Sequence, residues 1–343
     1  MTLHQWLQQG EASLAAGPHP ERARRDAELL LLHGLHLERA AFLVRWKEVL
    51  SSEEGDRYLA FIARRRAGEP IQYILGETEF YGLPFRVTPD VLIPRPETEH
   101  LVEKVLSLAP RLCPDSGARH GGTSEAAEKR LWCGKKCQGT TLVVPQDADN
   151  KGWALAPAES AISLDSSPLA QSGAPRIVDV GTGSGAIAVA LAHKLPQAAV
   201  TAIDLSGAAL AVARENAQRN GVAIRFVEGD LLAPVAGESF DFVVSNPPYV
   251  PESDRETLSV EVRDHEPELA LFAGGDGLEV FRRLVPAAFK VLAPGGFVLL
   301  EIGCGQAAAI AELLARSRFE RIEFVPDLQG IPRVACGQKA TLS

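Results

Sequence analysis

Ile177-Val178-Asp179-Val180-Gly181-Thr182-Gly183-Ser184-Gly185, followed by Ala186-Ile187-Ala188-Val189-Ala190-Leu191, is the stretch that decides the fold class. Apolar, partly β-branched residues running straight into glycines and then into a helical apolar pattern read as a buried parallel strand, a tight turn and a helix start. Glycines there let a ligand approach bare backbone, and a helix N-terminus offers unpaired N–H donors.

Outward from that stretch the same alternation repeats. Strand-like runs at 176–180, 199–204, 224–228, 240–244, 296–302, 319–325 and 333–337 are interleaved with helical patterns around 184–194, 206–219, 279–292 and 305–317. Such alternation predicts an α/β fold, a doubly wound parallel sheet of seven strands, with a ligand in the crevice at the carboxyl ends of its strands.

Upstream the pattern differs. Residues 1–75 read as an all-α helical domain: Leu3, Trp6, Leu7 and Leu14 keep helical spacing, Pro18-His19-Pro20 interrupts, and Ala23, Ala27, Leu30 and Leu31 form a second stripe. Ser51-x-x-Glu54 has capping-box form, and Gly68-Glu69-Pro70 stops the helix that it begins. Arg64-Arg65-Arg66 on that helix reads as a solvated face. Residues 76–95 read as a β-hairpin linker, with the hairpin in Phe80-Tyr81-Gly82-Leu83-Pro84-Phe85-Arg86-Val87 and a stiff connector in Val91-Leu92-Ile93-Pro94-Arg95-Pro96. The remaining domain, 96–343, opens on a helix from Glu97 to Leu108 and is interrupted at 112–174 by a Gly-, Ser- and Ala-rich insertion that we expect to be flexible.

With 343 residues and 46% hydrophobic content the chain can bury a full core. Its net charge of −9 argues against holding a nucleic-acid backbone by bulk electrostatics. No apolar run approaches the roughly 18 residues of a membrane span, and the start lacks a signal-peptide pattern, so the expectation is a cytoplasmic protein with no membrane contact. Five scattered cysteines do not resemble a secreted disulfide framework. Cys113, Cys133, Cys137 and His120 could be assembled into a zinc site, but the spacing is loose and no metal is expected.

Three strand ends carry candidate ligand contacts. The glycines run Gly181-x-Gly183-x-Gly185, a pattern that suits a cofactor without a pyrophosphate and leaves S-adenosylmethionine, NAD and a plain structural turn open. Asp204 ends the second strand, where a carboxylate can accept from both hydroxyls of a ribose. Asp230-Leu231 follows the third, where the acid could accept an adenine amino group and the leucine cover the ring; capping a turn is the plainer alternative. The most specific signal is Asn246-Pro247-Pro248-Tyr249. An Asn carbonyl and a proline backbone carbonyl can accept both hydrogens of a planar NH₂, Tyr249 can lie against the flat group, and transfer then proceeds by positioning with no covalent intermediate.

These features together resemble class I S-adenosylmethionine-dependent methyltransferases acting on planar nitrogens, and more closely the HemK/PrmC family of protein-(glutamine-N5) methyltransferases. The likeness extends through Arg25-Asp26-Ala27-Glu28-Leu29-Leu30, Gly68 to Gly76, Phe80 to Leu83, Leu92-Ile93-Pro94-Arg95-Pro96-Glu97-Thr98-Glu99, Glu266-Pro267 and Leu269 to Leu278. It implies a Rossmann-like methyltransferase sheet, S-adenosylmethionine as cofactor with S-adenosylhomocysteine as product, and the glutamine of the Gly-Gly-Gln motif in class-1 peptide chain release factors as acceptor. By the same resemblance Gly181, Thr182, Gly183, Ser184, Gly185, Asp204, Asp230, Leu231 and Asn246 hold the cofactor. Asn246, Pro247 and Tyr249 are the catalytic set, with Pro248 completing the substrate clamp. Arg95, Glu97 and Thr98 fall where the family's connector closes over the cofactor. Leu231 departs from relatives that carry an aromatic on adenine, which implies weaker stacking.

The acidic balance fits a protein partner, and a monomer is expected. A ribosomal-protein glutamine methyltransferase is the nearest alternative. A nucleic-acid adenine amino methyltransferase would use the same clamp but lacks a basic stripe here, and a non-enzymatic cofactor-binding scaffold would not need the clamp.

Overall fold

In the computed structural model, residues 1–112 and 173–341 are described; the Cys113, Cys133, Cys137 and His120 grouping and nearly all of the 112–174 insertion lie outside them. The helical part consists of α1 (Leu3–Ala15), α2 (Ala23–Leu35), α3 (Arg39–Arg45), α4 (Ser52–Arg66) and α5 (Ile71–Leu75). The Ser51 box forms as its spacing predicts: Glu54 N–H donates to Ser51 Oγ at 3.3 Å and Ser51 N–H to Glu54 Oε2 at 2.9 Å. Thr2 and Gln5 build a second box on α1. Leu3, Leu7, Ala27, Leu30, Leu31, Tyr58 and Ile62 close one apolar core among α1, α2 and α4. Gly10 exists for the α1–α4 crossing: a Cβ there would lie 1.9 Å from the Tyr58 hydroxyl.

Arg64-Arg65-Arg66 is not a uniform solvated face. Arg65 is 2% exposed. Its Nε donates to Asp26 Oδ2 at 2.7 Å and its Nη1 to Glu261, far along the chain. Two acids and a backbone carbonyl of Glu69 surround it, because burial of a guanidinium demands such partners.

The hairpin pairs β1 (Glu77–Phe80) with β2 (Leu83–Arg86), so it begins earlier than its sequence pattern suggests. Tyr81 (φ 54°) and Gly82 (φ 73°) are both left-handed, the two-residue turn that matches the natural strand twist. A single 3-10 turn at Pro96–Thr98 then leads into α6 (Glu99–Leu112).

The main sheet contains β3 (Arg176–Val180), β4 (Ala199–Asp204), β5 (Arg225–Glu228), β6 (Phe240–Ser245), β7 (Leu292–Glu301), β8 (Phe319–Pro326) and β9 (Pro332–Lys339), in the order β5-β4-β3-β6-β7-β9-β8. All seven predicted strands form. The sheet is mixed rather than wholly parallel: β9 runs antiparallel to both β7 and β8. The short Asp327–Gly330 turn forces this, since a tight turn can join only antiparallel neighbours; Asp327 Oδ1 accepts from the N–H groups of Gln329 and Ile331.

Helices α7 (Ala186–Lys194) and α8 (Gly207–Arg219) pack with α6 on one side of the sheet. On the other lie α11 (Glu279–Val291) and α12 (Ala307–Arg316), reached through the short helices α9 (Val260–His265) and α10 (Glu268–Leu271). Strand residues alternate between the two cores, as a pleat requires. Ile177, Phe242, Val244, Phe297 and Leu299 join the core under α6 and α7, while Val178, Val180, Val243, Val298 and Leu300 join that under α11 and α12. By this parity Asp179 and Glu301 point to the α6–α7 side.

Candidate active site

Between β3 and β6 the strand order reverses direction, and the predicted residues gather at the carboxyl ends flanking that point. The glycine turn is pinned to the neighbouring strand: Gly181 N–H and Thr182 N–H both donate to Ile203 O, at 2.8 and 3.0 Å. Its glycines serve different ends. Nothing lies within 4 Å of a Cβ built on Gly181 or Gly183, so bare backbone faces open space, whereas at Gly185 a Cβ would press on Ala213 of α8 at 3.1 Å. Ser184 O is held by Asn216 Nδ2 at 2.8 Å, and the same fully buried Asn216 accepts from Arg86 N–H of the hairpin.

Asp204 sits beside this turn. Its Oδ2 accepts from Gly183 N–H at 2.8 Å and its Oδ1 from Ser206 N–H at 2.9 Å, which fixes the carboxylate while leaving further lone pairs for a ligand. Gly229 N–H donates to Asp204 O at 2.9 Å and brings Asp230 alongside. Asp230 is exposed and ion-paired to Arg283. A pair with both partners half in water is weak, so it yields readily to a competing ligand. Leu231 stands in the left-handed region at φ 50°, a strained setting for a branched side chain.

The Asn246-Pro247-Pro248-Tyr249 segment follows β6 directly. Ser245 Oγ donates to Val180 O at 2.6 Å and ties the segment to the base of the glycine turn. Asn246 Nδ2 donates to Thr98 Oγ1 at 3.2 Å. Tyr249 is fixed through its backbone: its carbonyl accepts from Gln306 Nε2 at 3.0 Å, and Gln306 Oε1 accepts from Gly303 N–H at 2.9 Å. Gly277 approaches the same carbonyl so closely that a Cβ would lie 2.3 Å away. Burial, with the Glu301 charge nearby, pushes the Tyr249 hydroxyl up to about 12, so it remains a neutral donor.

Arg95 turns from the connector toward Glu266, donating from Nη2 to both carboxylate oxygens at 2.6 and 2.7 Å. The Glu266 side chain is 1% exposed, and burial raises its pKa against the opposing pull of Arg95. Thr98 is buried at the mouth of α6, next to Asn246.

The structure thus brings Gly181 to Gly185, Asp204 and Asn246 to Tyr249 along one edge, with Asp230 and Leu231 at its outer end. Sequence reading passes over three further residues there. Asp179 is fully buried and accepts from Thr182 Oγ1 at 2.6 Å, yet its Oδ1 has no hydrogen-bond partner; burial pushes its pKa up to about 7. Glu301 is 2% exposed and is likewise pushed up to about 7 by burial. Gln306 is the third. The signal for the two acids is their place inside apolar runs, Val178-Asp179-Val180 and Leu300-Glu301-Ile302, since unpaired acids are almost never buried without a task. Gln306 carries no comparable signal.

Two family models match the chain: "PrmC N-terminal domain" over residues 5–76 and "Methyltransferase small domain" over residues 164–275. Curated relatives match nearly end to end. A release factor glutamine methyltransferase of Koribacter versatilis is 38% identical, over 99% of this chain and 100% of its own length. One from Moorella thermoacetica is 39% identical over 97% of each chain. One from Bacillus subtilis is 35% identical over 92% of this chain and 91% of its own.

Proposed function

The chain belongs to the release factor glutamine methyltransferase family, and from that premise we propose that it methylates, with S-adenosylmethionine as donor, the side-chain amide nitrogen of the glutamine in the Gly-Gly-Gln motif of class-1 release factors. The observation that carries this reading is the tie between clamp and cradle. Ser245 fastens the Asn246–Tyr249 segment to the base of the Gly181–Gly185 turn, so an acceptor nitrogen and a nucleoside-bearing donor would share one edge of the sheet.

The residues present fit that donor. Open space over Gly181 and Gly183, an unpartnered oxygen on buried Asp179 and spare lone pairs on Asp204 form a polar cradle ready for hydroxyls and an ammonium group. In this reading Gly181, Thr182, Gly183, Ser184, Gly185, Asp204, Asp230 and Leu231 hold the cofactor, Asn246 lies against it, and Asp179 faces its charged end. S-adenosylmethionine supplies an electrophilic methyl group on a sulfonium.

An amide nitrogen is a poor nucleophile because its lone pair is delocalised into the carbonyl. Asn246 Oδ1 and the Pro247 carbonyl would accept its two hydrogens, hold the NH₂ plane and stabilise the positive charge that grows on nitrogen during transfer. Tyr249, with Pro248 behind it, would cover the flat amide and exclude water. No side chain need form a covalent intermediate. Residues 1–75 would dock the partner, 76–95 link and 96–343 carry the transfer. A single chain carries the whole set, so the active unit would be the monomer. No described helix is long and apolar enough to cross a membrane, and a release-factor substrate would put the reaction in the cytoplasm.

The test is incubation of the purified protein with methyl-labelled S-adenosylmethionine and, separately, release factor, ribosomal protein and DNA. Label on the Gly-Gly-Gln glutamine is the expected result. Label on ribosomal protein or DNA with none on release factor refutes the proposal.

A further inference from the structure

Asn246 is itself held by a relay. Its Nδ2 donates to Thr98 Oγ1 at 3.2 Å, and Thr98 Oγ1 donates to Glu301 Oε2 at 2.6 Å. A hydroxyl has one proton to give. With that proton committed to Glu301, Thr98 Oγ1 can only accept, so the Asn246 atom facing it must be the amide nitrogen. Oδ1 is thereby turned away from Thr98. The two ends of an amide are nearly alike in shape, and nothing but hydrogen bonding tells them apart. A reversed Asn246 would offer a donor to an acceptor NH₂ that has only donors.

The fold makes this relay unavoidable. Glu301 is the last residue of β7 on the α6 side of the sheet, and Thr98 closes the 3-10 turn that starts α6. Both are at most 4% exposed, so water does not compete for their hydrogen bonds. The other groups around Glu301 are Glu97 of the same connector, whose charge raises it, Arg333 of β9, which lowers it, Asn246 itself, whose side chain also hydrogen-bonds the carboxylate and lowers it, and Tyr249, which it raises in turn.

We propose that Glu301 is a positioning residue: through Thr98 and by its own contact with the Asn246 amide it locks that amide with Oδ1 toward the acceptor nitrogen, so that methyl transfer requires Glu301 to be ionised. This rests on the reading of Asn246 as the nitrogen clamp. When protonated, Glu301 donates to Thr98 Oγ1 and frees the Thr98 proton. That proton can then go to Asn246 Oδ1, and the reversed amide becomes the better bonded one, because the productive orientation leaves the buried Thr98 proton without an acceptor. Burial sets this change near pH 7, within reach of an assay.

The experiment compares wild type, Glu301→Gln, Thr98→Val and Thr98→Ser in two ways. The first is kcat against pH with release factor as substrate. Wild-type kcat should fall on the acid side of about pH 7. Glu301→Gln should lose about 100-fold in kcat at alkaline pH and lack the acid limb. Its KM for release factor and its cofactor Kd should stay within about threefold. Thr98→Val, which leaves Glu301 only its direct contact with Asn246, should lose less than Glu301→Gln, and Thr98→Ser, which keeps the hydroxyl, should lose least. The second is hydrogen exchange of the Asn246 side-chain amide in ¹⁵N-asparagine-labelled protein without substrate: slow in wild type above pH 7, fast in Glu301→Gln. Wild-type kcat in Glu301→Gln, a persisting acid limb, or unchanged amide exchange overturns the proposal. If wild type leaves release factor unlabelled, the functional reading fails on its own, and the exchange comparison still decides the role of Glu301.

Discussion

Asn246 and Asp179 show the two ways in which a single residue can matter at this site. Asn246→Ala removes one acceptor from the clamp and no cofactor contact of weight, so kcat should fall about 10²–10³-fold, with cofactor affinity, measured by calorimetry, barely moved. Asp179 is a cost to the fold. Its carboxyl is pushed up to about 7 by burial, so between about pH 4, where the unfolded chain releases that proton, and pH 7, where the folded chain does, stability falls as pH rises. Asp179→Asn removes this slope. Thermal melts should find the variant more stable than wild type at alkaline pH by more than about 1 kcal/mol, the worth of one pKa unit, with the gap closing toward pH 4. The clamp was legible because Asn-Pro-Pro-Tyr is chemically unusual. Gln306 was not, because a glutamine beside its local Gly303 N–H gains meaning only when Tyr249 O arrives from the far-off segment after β6.

Helices and strands were legible wherever local periodicity and burial agree. The five inner strand runs keep their apolar patterns because both faces are buried, the edge strands β5 and β8 being half-exposed, and Ser51-x-x-Glu54 caps α4 because that hydrogen bonding is local. What could not be read was relative direction: β9 is as apolar as its neighbours, and only the Asp327–Gly330 turn reverses it. Helix crossings were equally hidden. Gly10 looks like a weak helix former until α4 delivers Tyr58 against it. Gly10→Ala would improve α1 as an isolated helix yet force α1 and α4 apart, and chemical denaturation should register a loss of about 1–3 kcal/mol. Arg65 had the same fate: its spacing suggests solvent, but packing delivers Asp26 and Glu261 to it.

At the scale of the whole molecule, that guanidinium joins the N-terminal helices to the segment after the clamp. Arg65 reaches Glu261 of α9, and five residues on, Glu266 is gripped by Arg95 of the connector. Both ties are mostly buried, so breaking one leaves a charge without its partner. Arg65→Ala should cost about 3–5 kcal/mol in thermal unfolding, far more than loss of a surface pair such as Arg316 with Glu312. The sheet topology has a consequence for how the molecule is made. β8 is synthesised before β9 but, among the described residues, pairs with nothing in the main sheet except β9. During translation the chain must therefore hold an unpaired strand in reserve, and the wall beside β7, whose end carries Glu301, is completed only when a later segment slides in between. A nascent chain stopped before Pro332 would present two open strand edges to the cell, an invitation to wrong partners that the finished protein never shows.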